Sequence, residues 1–333
     1  MLIIGEVFNH FVKICLLERK SEHWFYKDES YFVPAYTPIF IDIALENDKE
    51  RTNFCFKTNS GLIRKGSISN KIETCYVVAC NNRHVYYQNT IWKKIEESPV
   101  DLIIHLGDQT YCDRLFWAWF YKFDKIATAN YDIYKEDIEK DYYKEYLNTW
   151  EPLEAILSHT SSIMIPDDHE ARSRADIWTE NVKEGVAEKL NKNLKYYLID
   201  ENRTKRTKVK EDYLFKVAFD LCRGLYLGLR FTNKERFDYI SKIGRQNDIT
   251  LICTERISHS LFDEEFYKHL PKLKRDEKVL VCSGLPPLPI RENFAEMMLY
   301  RHPQTIPDEV YDDFCKHFEG TDFMGSLKIL ADR

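Results

Sequence analysis

The chain has 333 residues, of which 44% are hydrophobic and 14% aromatic, so it can bury a large core and does not have the composition of a disordered protein. Its 54 acidic and 48 basic side chains give a net charge of -6, which disfavours general nucleic-acid binding. No apolar stretch approaches the ~20 residues of a membrane span, and the N-terminus lacks the pattern of a secretory signal. Nine cysteines without close pairs are typical of reduced thiols. We therefore expect a cytoplasmic protein without a membrane partner.

Residues 1–74 consist of short aromatic and β-branched runs separated by polar turns. Runs of this length and composition predict a small antiparallel β-sandwich. The predicted strands are residues 2–4, 12–17, 31–33, 39–43 and 53–56. This N-terminal module contains no group of residues with an obvious chemistry.

From residue 75 onward, apolar runs alternate with amphipathic, charge-rich stretches. This alternation predicts strands and helices around a mainly parallel sheet. The predicted strands are residues 75–79, 102–106, 162–165, 225–227, 250–253 and 279–282. The predicted helices are residues 89–97, 135–150 and 181–198. We interpret the five basic residues between positions 203 and 210 as part of a solvated loop.

Polar residues follow the first three of these predicted strands. Cys80 and Asn81 follow the first, residues 108–113 the second and residues 167–170 the third. Ligands of open α/β sheets bind beyond the carboxyl ends of the strands, where such residues converge. The three acidic residues within 167–170 repel one another, and a bound cation would neutralise them. The alternative is a helix N-cap whose carboxylates the macrodipole stabilises. We favour the metal site because a Gly-Asp pair also follows the preceding strand.

Two strings closely resemble motifs of the PhoD-like metallophosphatases. Residues 105–113, H-L-G-D-Q-T-Y-C-D, resemble the G-D-Q-x-Y-x-D motif, and residues 164–170, M-I-P-D-D-H-E, resemble the D-D-H-E motif. Four further segments are similar to other parts of the family: Ala79-Cys80-Asn81, the pair Tyr146 and Trp150, residues 281–289 and residues 4–14. The resemblance implies an α/β metallophosphatase-type sandwich, with two mixed sheets flanked by helices, over residues 75–333. The small β-sandwich of residues 1–74 would precede it.

The resemblance also implies a metal centre that hydrolyses phosphomonoesters or phosphodiesters with a metal-bound hydroxide. Iron and calcium are the expected ions, with other divalent metals as alternatives. The implied metal ligands are Cys80, Asp108, Tyr111, Asp168 and Asp167. Asp108 would bridge the metals and Asp168 would belong to the second position. The donor atoms of Cys80, Asp108, Tyr111 and Asp168 should then lie within about 6 Å of a common point.

His169 is the implied residue that steadies the developing charge or protonates the leaving oxygen. Asn81 and Arg172 would contact the phosphate or support the residues that do, as would Asp113. Asp167 fits either this supporting role or that of a metal ligand.

The sequence departs from the family pattern at two places. No G-D-x-H motif follows Asp168, although the family continues to a strand that ends in one. Gly228 stands where relatives carry an aspartate, which we interpret as the loss of a structural partner for Arg230. Three interpretations stay open: a fragment, a catalytically inactive binding or regulatory module, and a chain completed by a partner. The omission also predicts an unpaired sheet edge and a more open crevice.

Overall fold

The structure is a computed structural model that describes residues 1–46, 49–78, 85–125, 130–171, 201–231, 239–243, 249–254 and 278–283. Over these residues the chain is a mixed α/β protein with antiparallel and parallel sheets. The strands are β1 (Leu2–Phe8), β2 (Phe11–Leu16), β3 (Glu22–Tyr26), β4 (Glu29–Val33), β5 (Ile39–Ala44), β6 (Arg51–Thr58), β7 (Ile63–Ser69), β8 (Cys75–Val78), β9 (Leu102–His105), β10 (Ser161–Met164), β11 (Tyr239–Ile243), β12 (Ile249–Thr254) and β13 (Lys278–Ser283). The α-helices are α1 (Val85–Glu96), α2 (Asp113–Asp124), α3 (Lys135–Trp150), α4 (Glu154–Leu157) and α5 (Glu201–Gly228).

Strands β1 to β7 form two antiparallel sheets, in the orders β1-β2-β5 and β4-β3-β6-β7. Alternate residues of β6 are buried, as expected for a strand with one face toward a core. Leu2 and Ile14 of the first sheet share a buried cluster with Trp24, Phe54 and Phe56 of the second. The predicted antiparallel arrangement is therefore confirmed, and β3 and β7 are additional strands: β3 begins with two polar residues, and β7 has polar residues between its apolar ones.

Strands β8, β9 and β10 form a parallel sheet with β9 in the centre. All four residues of β9 are buried, as expected for a central parallel strand covered on both faces. Ile103 belongs to the core formed with the helices, whereas Ile104 shares a second cluster with Cys282 of β13. Both faces of the sheet are therefore packed, and the carboxyl ends of β9 and β10 lie side by side.

The remaining strands form the sheet β11-β12-β13, in which β11 pairs antiparallel to β12 and β13 pairs parallel to it. The predicted strands at residues 250–253 and 279–282 fall on β12 and β13, and α3 has the predicted bounds of residues 135–150. Residues 181–198, predicted as a helix, lie outside the described residues.

Helix α5 corrects two predictions. The predicted strand at residues 225–227 is the last part of this helix, and the basic residues between 203 and 210 lie in its first part rather than in a loop. Leu214, Ala218, Leu221, Cys222 and Leu225 are buried at helical spacing and pack into the core. The Leu-Tyr-Leu run is therefore apolar because it continues a buried helix face, which a short apolar run does not distinguish from a strand.

Strand β1 belongs to both cores. Leu2 and Ile4 pack inside the sandwich, whereas Ile3 packs in the core of the helices. Its register with β2 shifts between Ile4 and Val7, and the backbone there bonds to other elements. The Gly5 carbonyl accepts a hydrogen bond from Ser161 Oγ of β10 at 2.7 Å. Residues 1–74 are thus hydrogen-bonded to the parallel sheet, and a domain boundary at residue 74 stays a prediction.

Gly228, at the end of α5, has a steric explanation. A Cβ atom at this position would overlap the ring of Phe40 from β5. The space that an aspartate side chain would need is therefore filled by an aromatic ring, so the interpretation of Gly228 as a mere loss of a partner for Arg230 is incomplete. None of the helices in the described ranges combines the length and apolar character needed to cross a bilayer.

Candidate active site

The candidate site is built from the loops that follow β9 and β10. Backbone pairing continues past the two strands, since Leu106 N donates to Val78 O at 2.8 Å and Ile165 N donates to His105 O at 2.9 Å. The Gly107-Asp108 loop and the Asp167 to Glu170 loop therefore begin next to each other. Both Asp108 and Asp167 are buried. Two predicted site residues 59 positions apart in the sequence thus lie on adjacent loops.

The first loop depends on the backbone conformation of two consecutive residues. Gly107 has φ of +101° and Asp108 has φ of +57°, both in a region that L side chains rarely adopt. A Cβ atom on Gly107 would overlap the Cβ atom of Asp167. Glycine is therefore required here for two reasons, the positive φ and the close approach of the second loop. The positive φ of Asp108, a non-glycine residue, is a strained conformation of a kind that clusters at functional sites.

A third buried carboxylate, that of Glu170, joins the two loops. It accepts hydrogen bonds from the backbone N–H groups of Asp108 at 3.2 Å, Gln109 at 2.7 Å and Asp167 at 2.7 Å. Burial, and next the negative charge of Asp108, raise the pKa of Glu170 well above its usual value, while the N–H groups of Asp167 and Gln109 oppose that shift. Three acidic side chains are thus buried together, an arrangement that a cation would stabilise.

Tyr111 and Asp108 supply two oxygen donors at this site. The Tyr111 hydroxyl donates a hydrogen bond to Asp108 Oδ2 at 3.0 Å. Two ligands at ~2.1 Å from one ion and at right angles would be about 3.0 Å apart, so the spacing of this pair fits neighbouring positions of a coordination shell. Among the residues that the structure describes, no group of three or more His, Cys, Asp or Glu side chains is arranged to hold a metal ion. Asp108 and Tyr111 are therefore two predicted ligands that lie in contact, and the metal site itself stays a prediction.

His169 lies on the same side of the site as Tyr111. Its Nδ1 atom is 2.6 Å from Asp113 Oδ2, and its ring centroid is 4.5 Å from that of Tyr111. The His169 carbonyl accepts a hydrogen bond from Cys112 N at 2.9 Å, just before α2 begins at Asp113. The start of α2 therefore holds both the backbone and the ring of this histidine, and the carboxylate sets the orientation of the imidazole.

A layer of buried polar and aromatic groups supports the loops. Gln109 Nε2 donates to the carbonyls of His105 at 3.3 Å and Ile165 at 3.1 Å, and Trp150 Nε1 donates to the Gln109 carbonyl at 3.3 Å. Trp150 also packs edge-on against Tyr146, so the predicted aromatic pair lies directly behind the loop. His105 stacks on Trp92, and burial lowers the pKa of His105 to about 3. This histidine is therefore neutral at physiological pH.

The structure brings together Asp108, Tyr111, Asp167, His169 and Asp113 of the predicted site residues. Cys80, Asn81 and Arg172 lie outside the described residues. The backbone of Asp168 begins a three-residue 3-10 turn, and its side chain lies outside the description. The convergence of four ligands on one point therefore stays a prediction.

Three residues that the sequence did not single out also belong to the site. Glu170, Gln109 and Tyr226 all take part in the hydrogen bonds that connect the two loops. Glu170 and Gln109 lie inside the two motifs that resemble the family, but no sequence pattern assigns either of them a separate role. Tyr226 could not be identified because residues 225–227 were interpreted as a strand.

Comparisons with known proteins give distant structural similarity. No family model matches the chain, and no curated protein matches it. Among solved structures, it is similar to that of PhoD, with a TM-score of 0.46 and 14% identity over 76% of this chain and 51% of that one. It is also similar to purple acid phosphatase PPD1 from yellow lupin (Lupinus luteus) seeds, with a TM-score of 0.47 and 9% identity over 92% of this chain and 54% of that one. The chain thus spans about half the length of two phosphatases whose structures it resembles.

Proposed function

We propose that this chain is a metal-dependent hydrolase that acts on phosphate esters, either monoesters or diesters. The observation that carries the proposal is the meeting of Asp108, Asp167 and Glu170, three buried carboxylates, at the carboxyl ends of two adjacent parallel strands. Such a concentration of buried negative charge needs compensation, and a metal ion compensates it while attracting the anionic phosphoryl group. The resemblance of both loops to metallophosphatase motifs selects this reaction among metal-dependent ones.

The Asp108 carboxylate and the Tyr111 phenol are the described groups that would hold a metal. In the structure the Tyr111 hydroxyl donates a hydrogen bond to the Asp108 carboxylate, and an ion bound to both oxygens would displace the hydroxyl proton. Cys80, Asp168 and Asp167 are further ligands implied by the motifs, and the phenolate and thiolate donors would suit iron, with calcium at the carboxylates. When bound, the metal supplies positive charge for the phosphate and a deprotonated water at neutral pH.

The role that we propose for His169 is proton transfer at the ester oxygen. Because Nδ1 is hydrogen-bonded to Asp113, the other ring nitrogen, Nε2, is the atom that would exchange a proton with the leaving group. Asp113 would fix the ring in the orientation that this exchange requires. Asn81 and Arg172 would bind the phosphate oxygens.

The proposal is tested with the 333-residue chain purified without chelator. We expect bound iron or another transition metal by elemental analysis, and turnover of a generic aryl phosphate or diester after addition of iron, calcium, manganese or zinc. Asp108→Asn should lower turnover by more than about 100-fold and reduce the bound metal. The control is Asp101→Asn, since Asp101 lies at the opposite end of β9 and accepts hydrogen bonds from Glu73 N and Thr74 N at 3.0 Å. Absence of metal even after reconstitution would contradict the proposal.

A further inference from the structure

The buried carboxylate of Glu170 uses both of its oxygens. Oε1 accepts from Gln109 N at 2.7 Å and from the Tyr226 hydroxyl at 3.1 Å. Oε2 accepts from Asp167 N at 2.7 Å and from Asp108 N at 3.2 Å. One side chain with no exposed surface therefore binds both site loops and the last turn of α5.

We propose that Glu170 and Tyr226 form a positioning pair that sets the separation of Asp108 and Asp167 and couples it to helix α5. The inference rests on the proposed function, because those two aspartates are the groups whose placement it explains. Glu170 contacts the backbone N–H group of each aspartate, so it acts on their carboxylates through the backbone and is not itself a metal ligand.

The donors around Glu170 require a carboxylate. A glutamine has the same shape, but its amide NH2 group would replace one of the two oxygens. At the Oε2 position it would face the N–H groups of Asp108 and Asp167, neither of which can accept a hydrogen bond. At the Oε1 position it would face Gln109 N, although the Tyr226 hydroxyl could turn to accept. The first orientation therefore opposes two donors and the second opposes one, so either orientation breaks the link between Glu170 and at least one loop.

Tyr226 extends this connection into the helical core. It is fully buried, and its ring stacks at 6.2 Å on that of Trp150, which itself donates to the Gln109 carbonyl. The end of α5 thus reaches the first loop by two routes, one through Glu170 and one through Trp150. A displacement of this helix end would move the backbone of the Asp108 loop.

The test compares Glu170→Gln, Tyr226→Phe and the matched control Glu18→Gln in the full chain. Glu18 is also a buried carboxylate; it accepts hydrogen bonds from the Met1 amino group at 2.6 Å and from Arg64 Nε at 3.0 Å, and neither partner belongs to the site loops or to α5. Three quantities are measured for each variant: residue-resolved exchange of the backbone amides, affinity for Mn²⁺, and turnover of an aryl phosphate. Thermal unfolding shows whether each variant is folded at the assay temperature.

For Glu170→Gln we expect faster amide exchange at Asp108, Gln109 or Asp167 together with a loss of ~10–100-fold in Mn²⁺ affinity and turnover. Tyr226→Phe removes one hydrogen bond and should lower Mn²⁺ affinity and turnover by about fivefold. If Glu170→Gln does not fold, the result for Tyr226→Phe alone tests the positioning pair. Glu18→Gln should lower stability and keep Mn²⁺ affinity and turnover within about twofold of wild type.

Unchanged amide exchange in both site variants would overturn the positioning pair, as would changed exchange with wild-type Mn²⁺ affinity and turnover. A wild-type protein that neither binds metal nor turns over substrate would refute the proposed function. In that case, faster amide exchange at Asp108, Gln109 and Asp167 in Glu170→Gln would still show that Glu170 holds the two loops together.

Discussion

Replacement of Gly107 by alanine should destabilise the fold and damage the site together. The methyl group adds two effects: alanine at positive φ costs ~1–2 kcal/mol, and the overlap with Asp167 forces a displacement that costs ~1–3 kcal/mol. We therefore expect Gly107→Ala to lower the free energy of unfolding by ~2–5 kcal/mol. Because the overlap pushes the two loops apart, turnover of an aryl phosphate by the folded fraction should fall at least about tenfold.

Two other glycines separate these contributions. Gly61 has φ of +89° with no heavy atom within 4 Å of an added Cβ, so Gly61→Ala should lose only the ~1–2 kcal/mol of backbone strain. Gly224 lies in α5 without a positive φ and with no heavy atom within 4 Å of an added Cβ, so Gly224→Ala should raise the free energy of unfolding by ~0.5–1 kcal/mol. Urea unfolding of the three variants gives the comparison. A Gly107→Ala loss equal to that of Gly61→Ala, with wild-type turnover, would refute the close approach of the loops.

Three further predictions concern other parts of the structure. Asp113→Asn should lower turnover ~10–100-fold, because it weakens the hydrogen bond that orients the His169 ring. Thermal stability should change little because both side chains are partly exposed, and unchanged turnover would exclude an orienting role of Asp113. The pKa of His105 is about 3 in the folded chain and ~6.5 when unfolded, so acid protonates the unfolded state first. In urea unfolding, the free energy of unfolding of wild type should therefore fall by about 2 kcal/mol more between pH 7 and pH 5 than that of His105→Gln. Gly228→Asp should lower the free energy of unfolding by ~1–3 kcal/mol, because the new side chain must displace the half-buried Phe40 ring. Adding Phe40→Ala should recover part of that loss, and strict additivity of the two substitutions would argue against the contact.

The fold elements that the sequence predicted well have uninterrupted patterns. Strands β9 and β10 are short runs buried on every residue, and α3 keeps one amphipathic pattern between its ends. Strand β7 lies at the edge of its sheet and carries polar residues and a glycine, so its pattern is weak. The sequence of α5 does not predict one helix, because its first part is strongly basic and its last part is apolar.

The site was predictable to the extent that it follows from the sheet. Adjacent parallel strands end at the same edge, so the proximity of the Asp108 and Asp167 loops could be inferred from the order of runs and motifs. The function of Glu170 could not, because its bonds to backbone amides depend on how closely the loops approach at Gly107. The contact of Glu170 with Tyr226 joins positions 56 residues apart and required the helix to be placed correctly.

Strand β1 has a consequence for synthesis of the chain. Its Glu6 N–H group bonds to Leu229 O at 2.8 Å, and Ile3 packs against the helical core that includes residues of α5. At ~5–20 residues per second, the ribosome needs about 10–45 seconds to make the chain between these two positions. During this time the sandwich can close around Leu2 and Ile4 and α4 can pack against β1, but Leu229, the backbone partner of Glu6, has not yet been made. The nascent chain therefore completes the backbone contacts of β1 only after α5 has been made.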